Sequence, residues 1–173
     1  MPTLGNVLPR AALDSLLTAI RGRGFRLIGP VVRDSVITYE EIASSSDLPI
    51  GWTDVQEAGS YRLARRGEAV FGYNVGPQGW KRWLYPPSER LGSAAPREPL
   101  AFIGVRACEL RAIEILDKVL LDRDPSYAAR RSGVLIVAVN CGTTWSIRAA
   151  DWPSARSPRV ASRHGDQFRD ARR

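Results

Sequence analysis

The sequence predicts an α/β fold, and three observations carry that expectation. Residues 100–105 (LAFIGV) and 134–139 (VLIVAV) are short apolar runs of strand length. Between them Leu110, Ile113, Leu116, Leu120 and Leu121 recur at helical spacing. Strand, helix and strand in succession make a βαβ unit, whose two strands run parallel. Upstream, a different pattern predicts an N-terminal helix followed by β-hairpins.

The elements follow in order. Leu13, Leu16, Leu17 and Ile20 fall at i, i+3, i+4 and i+7, one face of a helix. Gly22 and Gly24 should end it, and Arg21 and Arg23 suit its negative pole. Residues 25–28 read as a strand that stops before Gly29-Pro30. Val31-Val32 and residues 36–39 flank Arg33-Asp34-Ser35, a hairpin turn. Residues 44–47 and Pro49 mark a loop. Residues 61–64 and 69–73 flank Arg65-Arg66-Gly67-Glu68, which reads as a second hairpin. Trp80, Trp83 and Leu84 share one face of a short helix that Pro86-Pro87 ends. Residues 92–99 are a polar linker, and residues 124–131 read as a turn and a short helical segment broken by Gly133.

The length of 173 residues suits one domain with a real core, and an apolar fraction of 44% is ordinary for a globular chain. The net charge of +7 is unevenly placed. Seven arginines and three aspartates follow Cys141, so residues 142–173 carry +4 and residues 1–141 only +3. A body this mildly basic does not demand an anionic partner. Two cysteines, Cys108 and Cys141, do not make a disulfide framework. No signal-peptide pattern opens the chain, and no apolar run approaches bilayer length. A cytoplasmic location is therefore expected.

Chemistry concentrates where the sequence passes from strand to helix, at Gly104-Val105-Arg106-Ala107-Cys108-Glu109. In parallel α/β sheets, ligands bind at the carboxyl ends of strands. A cysteine in the first turn of a helix feels the positive dipole end, and Arg106 adds charge. That setting favours thiolate or metal-ligand chemistry. Cys141 follows the next parallel strand, so two strand ends could bring both thiols to one edge of the sheet. The competing reading makes Cys108 and Cys141 two small buried residues at loop starts. Arg106, Cys108 and Cys141 are the candidate cofactor-binding residues. No catalytic residue and no metal ligand is singled out.

Other motifs are weaker. Gly72, Gly76 and Gly79 do not have the spacing of a nucleotide loop. The cluster from Trp80 to Tyr85 reads as an aromatic core edge, with a cation–π surface as the alternative. Asp122 and Asp124 fit a helix-ending turn better than a carboxylate pair. The only histidine is His164, so a Ser/His/Asp triad or a His-rich metal site has no candidate base.

A family resemblance runs through these pieces. Residues 28–34 (IGPVVRD) and 37–42 (ITYEEI) open it. Residues 48–56 (LPIGWTDVQ), 61–63 (YRL), 71–76 (FGYNVG) and 80–87 (WKRWLYPP) continue it. Residues 104–113 (GVRACELRAI), Leu116-Asp117, residues 124–127 (DPSY), Arg130-Arg131 and residues 136–141 (IVAVNC) complete it. Together they resemble the N-terminal region of iron–sulfur electron-transfer subunits, namely the β subunits of sulfhydrogenases and their counterparts in anaerobic sulfite reductases. The resemblance spans about residues 10–141 and is specific to the family, not to one member.

It implies a soluble oxidoreductase component that is not catalytic by itself. Its partners would be other subunits of a hydrogenase or reductase complex, including one that binds flavin or NAD(P), and not a membrane or a nucleic acid. Members of the family continue past the asparagine–cysteine position into a ferredoxin-like domain with two [4Fe–4S] clusters. Such clusters take about four thiolates each, and this chain has two cysteines. The expectation is an α/β N-terminal domain over residues 1–141 and a disordered basic tail over residues 142–173. The chain would be truncated or frameshifted after Cys141, with no cluster of its own. The alternative is a nucleic-acid-binding protein acting through the tail, where Arg148, Trp152, Arg156, Arg159, Arg163, Phe168 and Arg169 interleave charge and aromatic rings. A third reading, Cys108 as an enzyme nucleophile, lacks a nearby base.

Overall fold

The computed structural model describes residues 9–76, 79–88 and 98–140. A four-stranded mixed sheet in the order β2-β1-β5-β6 forms its centre, with a separate two-stranded sheet, β3-β4. The strands are β1 (Arg26–Arg33), β2 (Val36–Glu41), β3 (Trp52–Glu57), β4 (Ser60–Arg65), β5 (Leu100–Arg106) and β6 (Leu135–Val139). The helices are α1 (Leu13–Gly22), α2 (Lys81–Leu84), α3 (Ala107–Leu120) and α4 (Pro125–Arg131). The α/β class and the parallel β5–β6 pair agree with the sequence reading. The expected tail, residues 142–173, lies outside the described residues, as does most of the 92–99 linker.

Two apolar clusters sandwich the central sheet. Leu17 and Ile20 of α1 pack with Leu27, Ala101 and Ile103 on one face. Trp80, Leu84, Ile113 and Tyr127, from α2, α3, α4 and the residue before α2, pack with Ile28, Phe102, Val105 and Ile136 on the other. Neighbours along β5 therefore divide between the faces, as strand geometry requires. The apolar helix faces read from the sequence all meet this core.

α3 and α4 are locked by one carboxylate. Asp117 accepts from the Tyr127 hydroxyl at 2.6 Å and from Arg131 Nε at 3.1 Å. Tyr127 is fully buried and Arg131 is 7% exposed, so this ion pair is shielded from water. Asp124 caps α4 by accepting from the Ser126 and Tyr127 amides, with Pro125 at the first helical position. The expected helix-ending turn is there too, since the Asp124 amide donates to the Leu120 carbonyl at the end of α3 at 2.8 Å, and the cap on α4 is an added role.

Three local expectations change. β1 does not stop at Ile28; it runs through Gly29-Pro30 to Arg33. β5 pairs with β1 only over Arg26–Ile28, so Pro30 lies beyond that ladder and costs it no hydrogen bond. The turn that follows is Asp34-Ser35, both at positive φ (49° and 61°), the two-residue geometry that suits strand twist. The second hairpin pairs residues 52–57 with 60–65, not 61–64 with 69–73. Ala58-Gly59, with Gly59 at φ 72°, is the tight turn that selects the upstream partner. Finally, α1 includes Gly22, and the left-handed residue that ends it is Gly24 at φ 86°.

Candidate functional site

The site is built around the end of β5. Register shifts between Ile103 and Val105, so Gly104 is an extra residue opposite β6, a β-bulge. Gly104 has φ 82°, and a Cβ there would lie 2.5 Å from Phe71 Cε1. Glycine is required twice over, by backbone conformation and by the ring pressed against it. The bulge places Val105 on the same face as Phe102 and sends Arg106 inward.

Arg106 is 8% exposed. Its Nη1 donates to Asn74 Oδ1 and its guanidinium lies 5.4 Å from the centre of the Tyr73 ring. Asn74 is itself held by Asp54, whose carboxylate accepts from the Asn74 amide and, at 3.1 Å, from Asn74 Nδ2. Gln56 Nε2 donates to the same carboxylate at 2.6 Å. The β3–β4 hairpin, the segment after it and the start of α3 thus form one polar chain. A neutral amide stands between the buried Asp54 carboxylate and the buried Arg106 guanidinium, so each charge is compensated without direct contact.

Arg106 occupies the N-cap of α3 and brings no side-chain acceptor there. Glu109, three residues on, reaches back and accepts from the Arg106 amide at 2.9 Å. Glu109 also accepts a hydrogen bond from the Trp80 side chain. Burial raises its pKa above the usual carboxylate range, and the Arg106 amide, the Arg106 charge and Trp80 oppose that rise. Two tyrosines complete the cluster. Tyr39 of β2 is fully buried and Tyr73 is 3% exposed, and burial keeps both phenols protonated well above their ordinary range. Neither hydroxyl has a hydrogen-bond partner among the described residues.

The sequence candidates separate in space. Cys108 is exposed, so the buried reading fails for this residue. Arg106 does not lie beside it as a surface charge, because its guanidinium turns inward to Asn74 and Tyr73. Cys141 lies outside the described residues. The Trp80–Tyr85 cluster proves to be both a core edge and a cation–π surface. Trp80 and Leu84 are buried, while Arg26 and Arg82 stand 5.9 and 5.8 Å from the Trp83 ring.

Sequence patterns do not single out Tyr39, Asp54, Tyr73, Asn74 or Glu109 as members of a site. Only Glu109 carries a legible signal, the three-residue spacing of a reciprocal helix cap. Among the described residues no group of three or more His, Cys, Asp or Glu side chains could hold a metal ion. Among them, too, no helix is long and apolar enough to cross a membrane.

The fold is that of a small α/β domain whose polar centre sits at the carboxyl edge of β5. The chain is similar to sulfhydrogenase 2 subunit beta of Pyrococcus furiosus, with 29% identity over 118 residues, 67% of this chain. The matched stretch spans 31% of that protein's length. No protein-family model matches the chain. No solved structure matches it.

Proposed function

We propose that this chain supplies a partner-positioning domain of an electron-transfer subunit, working with other subunits of a hydrogenase or reductase. The similarity to a sulfhydrogenase β subunit is the observation that carries the reading. The edge at the ends of β5 and β6 is the proposed contact region. It presents Cys108 in the first turn of α3, beside the end of β6 at Val139, which Cys141 follows by two residues in the sequence. Arg106 serves this edge from inside, by fixing the start of α3 to the Asp54–Asn74 pair.

The residues present do not fit a pair of [4Fe–4S] clusters. Two cysteines stand where two clusters would take about eight thiolates. Electrons would pass through groups carried by a partner, a flavin- or NAD(P)-binding subunit being the expected kind, and the location would be cytoplasmic.

The test is co-expression with candidate hydrogenase and reductase subunits, followed by affinity purification and a dye-reduction assay of the assembled complex. A stoichiometric complex whose dye reduction falls when this chain is omitted supports the proposal. Anaerobic reconstitution of the chain alone, with iron and acid-labile sulfide assays, should return no stoichiometric cluster. Failure to assemble with any such subunit, or a full cluster on the isolated chain, overturns it.

A further inference from the structure

Two buried phenol groups lack partners at one place in the fold. Buried hydroxyls in native proteins are nearly always hydrogen-bonded, to protein or to ordered water. Tyr39 and Tyr73 come from different elements, β2 and the segment after β4, yet their phenols interact electrostatically with each other. Both also feel Glu109 and Arg106. Glu109 Oε2 takes the Arg106 amide, and a carboxyl group keeps further acceptor positions. Gly79 borders the other oxygen: a methyl group there would come no closer than 4.0 Å to Glu109 Oε1 and 3.6 Å to Val75 Cγ1. It would also meet the Gly76 carbonyl oxygen at 3.9 Å, all ordinary contacts, so the missing side chain at position 79 leaves at most a methyl-sized space beside the carboxyl.

We propose that the Tyr39 and Tyr73 hydroxyls and the Glu109 carboxyl line an internal water site at the foot of α3. Water is the ligand whose chemistry matches. It donates to a carboxyl oxygen and accepts from a phenol, and buried waters typically take two to four polar partners. An anion would meet Glu109, and a metal ion would find two neutral phenols and a single carboxyl. The water would link β2, the 72–76 segment and α3, adding to the tie that Arg106 already makes to Tyr73 and Asn74. This inference stands apart from the proposed electron-transfer role.

The sign of a mutational effect tests it. If the hydroxyls are truly unpaired, replacing tyrosine by phenylalanine removes an unsatisfied group and stabilises the fold. If a shared water satisfies them, the same replacement removes a bonded partner. Tyr39→Phe and Tyr73→Phe are expected each to lower the urea midpoint. The double variant should lose less than the two single losses combined, because the water departs with the first. Raised or unchanged midpoints, or fully additive losses, overturn the site. Should the variants not fold, water-to-protein nuclear Overhauser spectra of the unaltered chain decide. Cross-peaks from a long-lived water to the Glu109 amide or the Trp80 indole N–H are expected, and their absence overturns the proposal.

Discussion

Arg106 and Val139 hold the same register position on the parallel strands β5 and β6. Cys108 follows the first by two residues and Cys141 follows the second by two. Neighbouring strands lie about 5 Å apart, so this register sets the ends of β5 and β6 side by side at the edge where α3 begins.

Cys108 is expected to react with iodoacetamide in the folded protein, since its thiol is exposed in the first turn of a helix. Peptide mapping after a brief native-state pulse should find the label there. Cys108→Ser should abolish that fast phase. A folded protein that leaves Cys108 unmodified would contradict the exposed placement.

Glu109 should make the fold less stable as pH rises. Its folded pKa lies above the ordinary value of 4.5, so the folded state binds the proton more tightly. Below that ordinary value both states are protonated and nothing is lost. Stability then declines as pH climbs to the folded pKa, and the loss is complete beyond it. Burial drives the rise, and the Arg106 amide, the Arg106 charge and the Trp80 side chain oppose it; the buried Tyr39 and Tyr73 phenols face the same carboxyl. In urea titrations from about pH 4 to about pH 8, the midpoint of the unaltered chain should fall relative to Glu109→Gln. A constant difference across that range would show that Glu109 does not carry the dependence.

Gly104→Ala should be far more damaging than Gly133→Ala. Both glycines have positive φ, 82° and 75°. At Gly133 the nearest atom to a new Cβ is 4.0 Å away, leaving mainly backbone strain of about 1–2 kcal/mol. At Gly104 the Phe71 ring adds an overpacking cost of about 1–3 kcal/mol. Denaturant melts of the two variants measure the difference. Phe71→Leu should recover part of the loss at Gly104 and none at Gly133.

Asp117→Ala should cost about 3–5 kcal/mol, because it leaves the buried Arg131 charge without its carboxylate. It also strands the Tyr127 hydroxyl. Asp117→Leu combined with Arg131→Met removes both charges and should cost less than Asp117→Ala alone. Equilibrium urea unfolding of the three forms provides the comparison.

The elements legible in the sequence are those whose signals are local. Apolar spacing marks α1 and α3, and Asp124-Pro125 marks the start of α4. The second hairpin is misplaced because Ala58-Gly59 is an inconspicuous turn, while Arg65–Glu68 has a more conspicuous turn composition. The polar centre is harder to see. Asp54, Asn74 and Arg106 are widely spaced along the chain, and only folding shows that they share hydrogen bonds. The inward turn of Arg106 depends on the bulge at Gly104, which no periodicity reports.

The pairing of β1 with β5 has a kinetic consequence. Arg26 aligns with Leu100, and each apolar cluster joins residues from before position 50 to residues after position 100. Neither face of the sheet can be completed by the first half of the chain alone. A nascent polypeptide would hold α1 and the first hairpin open until β5 emerges, and the entropy of closing that long loop falls on the rate-limiting step. Refolding should therefore be slow for a chain of this size, with both faces of the core consolidating together.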